Sequence, residues 1–223
     1  MLEAKKSVFC EKIFAIYNKN LIRRKFHALN VRGLENLQNQ SIPFLIYANH
    51  SSWWDGLAAF QICYFLQLDS FIMMEEKQLK NLQFFRRLGA FSIIRENPRE
   101  AFESVEYAVN LLKSNSRKTV WIFPQGNILP NDLRPLNFFK GLSHIVKKVK
   151  NCAVVPLAFR YEFLGTFKPE IFVSVAEPIF FSPETINDKN MLTEIFVSNL
   201  TKTLDKLKKD FVSKNLTNFQ NII

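Results

Sequence analysis

Apolar residues along the chain fall into two rhythms. Short runs dense in β-branched and aromatic residues read as strands: Ser41 to Ala48, Ser70 to Met74, Ala90 to Ile94, Thr119 to Phe123, Cys152 to Phe159 and Glu170 to Val175. Between them apolar positions recur every three or four residues, the period of a helix with one buried face. The clearest such helix opens at Asn97, which can cap, followed by Pro98 at the first helical position and Glu100 at the capping-box position. Phe102, Val105, Val109 and Leu112 then form its apolar stripe. A second helix is predicted from about Asn137 to Lys150, with Phe138, Leu142, Ile145, Val146 and Val149 inward. A third, rich in lysine, runs from about Met191 to Val212. The longest apolar stretch, Leu57 to Leu68, is interrupted by two glutamines and reads as a buried or interfacial helix. Strands alternating with helices predict an α/β fold, a mixed sheet flanked by helices.

Ahead of the first strand, Phe9, Ile13, Ile16, Tyr17, Asn20 and Leu21 recur at helical spacing among Lys5, Lys6, Lys12, Lys19, Arg23, Arg24 and Lys25. This is a basic amphipathic helix, which either packs on its own domain or lies on a membrane surface.

Charge narrows the partners. Thirty Lys and Arg against twenty Asp and Glu give a net +10, which favours nucleic acid, acidic lipid headgroups or phosphorylated substrates and carriers. No recognition helix, RNA-binding aromatic motif or zinc finger supports nucleic acid, so none is expected as a partner. At 223 residues, 48% hydrophobic, the chain suits one domain, and 23 phenylalanines make a sticky surface plausible. The three cysteines form no C-x-x-C pair, which speaks against a disulfide framework or zinc ribbon and suits a reducing, cytosol-facing location. No window is apolar enough for a spanning helix, and no signal-peptide pattern is evident.

The stretch "YANHSSWWDG", Tyr47 to Gly56, carries the candidate chemistry. On one helix His50 and Asp55 would point about 140° apart, so they meet only across a turn between the strand ending at Ala48 and a helix starting near Asp55. A carboxylate on one imidazole nitrogen would fix the tautomer and leave the other to take a proton. The plainer alternative is that His50 only hydrogen-bonds and Asp55 only caps. Neither His27 nor His144 sits in a ligand-like pattern, so no metal is expected.

"NHSSWWD" resembles the N-H-x-x-x-x-D signature of the phospholipid/glycerol acyltransferase family, and further blocks follow in that family's order. "LGAFSIIR" (Leu88 to Arg95) is similar to the second block, "FPQGN" (Phe123 to Asn127) to the third, and "VVPLAFRYE" (Val154 to Glu162) to the fourth. "RPLNFFKG", ending at Lys140 and Gly141, and "VSVAEPI" also resemble family stretches, so the likeness runs from about Val31 to about Ile179.

The resemblance implies a largely parallel sheet, residues 1–30 as a membrane-surface helix and 31–223 as the acyltransferase domain. It implies direct acyl transfer from acyl-CoA or acyl-carrier protein to a lipid hydroxyl, with no bound cofactor, at the cytoplasmic face of a membrane. His50 would be the general base and Asp55 its orienting partner. Arg95 and Lys140, with Gln125, Gly126, Asn127 and Pro156, would bind substrate. Trp53 and Trp54 would line the acyl path, sit at the interface or pack in the core.

The third block departs from the family pattern: Gln125 stands for glutamate, Asn127 for threonine and Ile128 for arginine. Two acceptors stay open. Arg95, Lys140 and Arg134 could hold a phosphorylated one, most simply 1-acylglycerol-3-phosphate. Otherwise the acceptor is a glycolipid, a glycosylated isoprenoid or another lipid alcohol. A noncatalytic lipid-binding relative is the remaining alternative.

Overall fold

The computed structural model describes residues 1–38, 41–114, 117–181 and 188–223. In chain order its elements are α1 (Val8–Lys25), β1 (Leu29–Arg32), β2 (Phe44–Ala48), α2 (Trp54–Phe65), β3 (Asp69–Glu75), α3 (Glu76–Asn81), β4 (Ala90–Ile93), α4 (Pro98–Ser114), β5 (Lys118–Ile122), α5 (Gly141–Val149), β6 (Ala153–Glu162), β7 (Glu170–Val175), α6 (Lys189–Val212) and β8 (Gln220–Asn221). The strands form one sheet in the order β4-β3-β5-β2-β6-β7-β1-β8. Only β6–β7 and β1–β8 pair antiparallel, so the sheet is mixed and largely parallel, as expected.

β2 lies between β5 and β6 and is buried along its whole length, which is why its sequence is a continuous apolar run. Its side chains alternate between two cores. Leu45 and Tyr47 join the cluster beneath α4, α5 and α6, whereas Phe44, Ile46 and Ala48 join the one that α1 and α2 cover.

The α4 signal is realised at its cap, where Asn97 Oδ1 accepts from the amides of Arg99 (3.1 Å) and Glu100 (3.4 Å). Val105, Val109 and Leu112 are buried, but Phe102 is half exposed, its ring edge-on to His144. The helix expected from about Asn137 begins only at Gly141. The residues before it are drawn to the third sequence block, where the Phe139 amide donates to the Pro124 carbonyl at 2.9 Å.

α1 forms as expected but turns a different face inward. Phe14, Ala15, Asn18 and Ile22 are buried, while Phe9, Ile13, Ile16 and Tyr17 are exposed. Asn18 fixes this orientation by donating to the Leu57 carbonyl (3.0 Å) and Gln61 Oε1 (3.3 Å) on α2. The boundary expected after residue 30 falls inside β1, which pairs in parallel with β7 from Leu29 to Arg32. β1 and the two-residue β8 are too short for periodicity to reveal.

Candidate active site

The loop from β2 to α2 is held by side chains on both sides. Asn49 Oδ1 accepts from the Phe159 amide (2.8 Å), and its Nδ2 donates to the Phe159 carbonyl (3.0 Å), clamping the loop to β6. The next amide, that of His50, donates to Gln125 Oε1 at 3.0 Å, and the His50 carbonyl accepts from Leu129 at 2.8 Å.

With the backbone fixed, the imidazole Nδ1 meets Asp55 Oδ2 at 2.8 Å across the turn. The same oxygen accepts from the amides of Ser51 (2.7 Å) and Ser52 (2.9 Å), and Oδ1 accepts from the Tyr161 hydroxyl. Asp55 is fully buried, and these donors replace the water it has lost. Burial, then the neighbouring carboxylate, holds the Tyr161 hydroxyl well above the ordinary tyrosine range, so it stays protonated and donates. The His50 ring stacks on Phe123 with centroids 4.5 Å apart, leaving Nε2 without a hydrogen-bond partner among the described residues.

His50 borders a cavity of about 640 Å³ that crosses the carboxyl ends of β2, β3, β4 and β5. Phe14, Leu57, Phe60 and Phe85 form a wall from the α1–α2 side, and Phe102 and Leu142 one from the α4–α5 side. The cavity thus reaches over the sheet edge between helices on opposite faces. Its shape and lining suit an apolar chain with a polar group near His50.

Polar residues gather beyond β3 and β4. Arg95 is ion-paired with Glu75 and donates to the Gly126 carbonyl at 2.5 Å, with its guanidinium 5.6 Å from the Phe139 ring centre. Gly126 has φ +72°, and a Cβ there would sit 2.2 Å from Arg95 Nη1, so the turn strongly favours glycine. Asn127 and Ile128 also line the cavity, and Asn127 Oδ1 is 3.5 Å from Arg95 Nη1. Lys140 is exposed on the rim, without an ion-pair partner among the described residues.

Of the expected site residues, His50, Arg95, Gly126, Asn127 and Lys140 line this cavity, and Asp55 stands directly behind His50. Gln125 stands back from it and braces the His50 loop, a role its amide oxygen fills without charge. Pro156 does not line the cavity. It is buried in β6 opposite Tyr47, its carbonyl accepting from Ala176 at 3.0 Å. Arg134 is also elsewhere, paired with Asp205 of α6 at 2.7 Å. Trp53 lines the cavity, half exposed, whereas Trp54 packs edge-on against Phe26.

Sequence reasoning missed Asn49, Tyr161 and Glu75. Tyr161 had a signal: on β6 it shares the period-2 face of Val155, Leu157 and Phe159, which packs towards α2. No serine or cysteine side chain bonds to His50 among the described residues. The buried thiols of Cys63 and Cys152 are pushed up by burial to about 11 and about 12, which leaves them unreactive.

A buried acid orienting an imidazole beside a long apolar cavity, on the carboxyl edge of a mixed α/β sheet, is an arrangement for general-base chemistry on lipid-like substrates. The Acyltransferase family model matches residues 28–160, more than half of the chain, and the chain belongs to that family. It is 26% identical over 163 residues to the 1-acyl-sn-glycerol-3-phosphate acyltransferase of Streptococcus pneumoniae (strain ATCC BAA-255 / R6), a match over 70% of this chain. The chain spans only 57% of that relative's length. The crystal structure of the 1-acyl-sn-glycerophosphate (LPA) acyltransferase PlsC from Thermotoga maritima shares the fold, with a TM-score of 0.67 at 20% identity over 89% of this chain and 79% of that one.

Proposed function

We propose that the protein transfers a fatty acyl group from a thioester, acyl-CoA or acyl-carrier protein, to the hydroxyl of a membrane lipid. The observation that carries this reading is the 2.8 Å contact between His50 Nδ1 and the buried Asp55 at the wall of the apolar cavity. In this mechanism neutral His50 takes the acceptor's hydroxyl proton at Nε2 while the oxygen attacks the thioester carbonyl. The tetrahedral intermediate then collapses, the C–S bond breaks, and the leaving thiolate takes the proton back from the imidazolium, which restores neutral His50. Asp55 keeps Nδ1 protonated and stabilises the cation that forms.

The acceptor is a 1-acylglycerol-3-phosphate in the reading that the pneumococcal relative's name supports, with Arg95 and the exposed Lys140 as cations for its phosphate. A second reading, a neutral hydroxyl-rich headgroup, is favoured by two observations. Glu75 already occupies the Arg95 guanidinium, and the apolar Ile128 faces the same cavity. Acceptor and product stay in the bilayer, so the enzyme works as a peripheral protein on the cytoplasmic face. No described helix is long and apolar enough to cross a membrane, and the bare face of α1 offers the contact.

His50→Ala is expected to keep the fold and lower transfer by about 10² to 10⁴-fold, read as thiol release from acyl-CoA mixed with 1-acylglycerol-3-phosphate vesicles. Wild-type turnover by the purified variant would sink the mechanism. Replacing that acceptor with a glycolipid in the same assay separates the two readings.

A further inference from the structure

Glu75 is the one acid among the described residues that line the 640 Å³ cavity. It stands at the carboxyl end of β3, beside the end of β4 from which Arg95 projects. Glu75 Oε2 is paired with Arg95 Nη2, and Arg95 Nη1 donates to the Gly126 carbonyl at 2.5 Å. A carboxylate on one terminal nitrogen and a carbonyl on the other occupy the fork with which a guanidinium clasps phosphate. Arg95 is therefore a strut from β3 to the turn at Gly126, and the pair adds no net charge to the cavity. Only 20% of the Arg95 side chain and 23% of that of Glu75 are exposed, so water screens neither fully, and an anion brought alongside Glu75 meets its repulsion.

What this end of the cavity offers is hydrogen bonding. Glu75 Oε1 has no partner among the described residues, and neither has the amide nitrogen of Asn127, whose oxygen lies 3.5 Å from Arg95 Nη1. Gln78, exposed on α3, adds a second amide. A carboxylate oxygen that only accepts, beside amides that both donate and accept, matches neighbouring hydroxyls, which do both. Ile128 and Phe139, each about half exposed, line the cavity next to these groups and present surface for the carbon-bound hydrogens of a sugar ring, with no charge for a phosphate. Lys140, the remaining Lys or Arg among the described lining residues, is exposed on the rim, where salt screens it.

We infer that Glu75 sets acceptor specificity: by neutralising Arg95 and presenting a free carboxylate oxygen, it selects a lipid with an uncharged sugar headgroup over one that ends in a phosphate monoester. The inference rests on the acyl-transfer reading above and decides between its two acceptors through one side chain. Discrimination of this kind comes as much from repelling the wrong ligand as from contacts to the right one. Glu75 supplies both, since the carboxylate that would repel a phosphate is the one that accepts from a hydroxyl.

The test is binding, which needs no turnover. Dodecyl β-glucoside and dodecyl phosphate share a tail and differ in headgroup. Titrated calorimetrically below their micelle concentrations into the wild type with no donor present, the glucoside is expected to bind at least about tenfold more tightly than the phosphate. Glu75→Gln keeps the side-chain shape and removes the charge. It should bind the phosphate at least about tenfold more tightly than the wild type does, and the glucoside more weakly. A loosened fold would weaken both ligands, whereas a change of charge moves them in opposite directions. An unchanged ratio in Glu75→Gln, parallel loss of both ligands, a wild type that prefers the phosphate, or one that binds no glucoside overturns the inference. In thiol-release assays with a monoacyl glycolipid or 1-acylglycerol-3-phosphate as acceptor, kcat/KM should exchange in the same sense. Transfer at the wild-type rate by His50→Ala would instead remove the mechanistic reading, whatever the titrations give.

Discussion

Asp55 collects four donors, from His50, Ser51, Ser52 and Tyr161, on a carboxylate that water does not reach. Loss of the Tyr161 hydroxyl would leave Oδ1 without its partner, and a hydrogen bond to a buried charge is worth about 1.5–3 kcal/mol. Tyr161→Phe should therefore lower kcat by roughly tenfold while leaving the KM values of both substrates nearly unchanged, because the residue touches His50 only through Asp55. The same variant carries a pH signature. Folded Tyr161 keeps its proton above the ordinary tyrosine value of 10.0, so stability is full below about pH 10 and falls as pH rises beyond it. Denaturant titrations between pH 9 and 11 should show a slope shallower by up to about 1.4 kcal/mol per pH unit in Tyr161→Phe. An unchanged slope would mean that the hydroxyl is not held as described. At this scale the sequence disclosed what spacing could carry: His50 and Asp55 lie five positions apart, and one turn joins them. Tyr161 lies 106 positions from Asp55 and Glu75 twenty from Arg95, so both contacts exist only once the strands are side by side.

Elements were legible where one physical signal dominated. The central strands announce themselves because both faces are covered, and α4 because a cap, a proline and a stripe agree. Asn97→Ala should cost about 1 kcal/mol and lower Tm by about 2–4 °C in calorimetry, with transfer activity retained. Elements were illegible where tertiary contacts overrode local preference. The apolar spacing of residues 137–140 reads as helix, yet Phe139 gives its amide to Pro124, and that exchange seats its ring beside Arg95. Pro156, expected at the site, does not line the cavity. β6 runs parallel to β2 towards the carboxyl edge, and Pro156 lies in its middle, opposite Tyr47, before the strand reaches the Asn49 loop at Phe159.

Across the whole molecule, α1 is where pattern and packing disagree. Its regular apolar stripe faces outward, and a mixed set with Asn18 at its centre faces in. Four exposed large residues, Phe9, Ile13, Ile16 and Tyr17, stand beside a row of Lys and Arg, a combination suited to an anionic bilayer surface. Changing all four to Ser should leave the thermal midpoint nearly unaltered, since none is buried, and reduce co-sedimentation with phosphatidylglycerol vesicles by more than about tenfold. Unaltered partitioning would remove the helix as an anchor. One residue of α1 ties this surface to the chemistry, for Phe14 is part of the cavity wall and is packed edge-on against Phe60 at 5.0 Å. A helix that is chamber wall on one side and bare on the other cannot tilt or sink without reshaping that cavity. Were α1 to lie on a bilayer as proposed, lipid packing beneath it would act on the cavity mechanically, as interfacial activation.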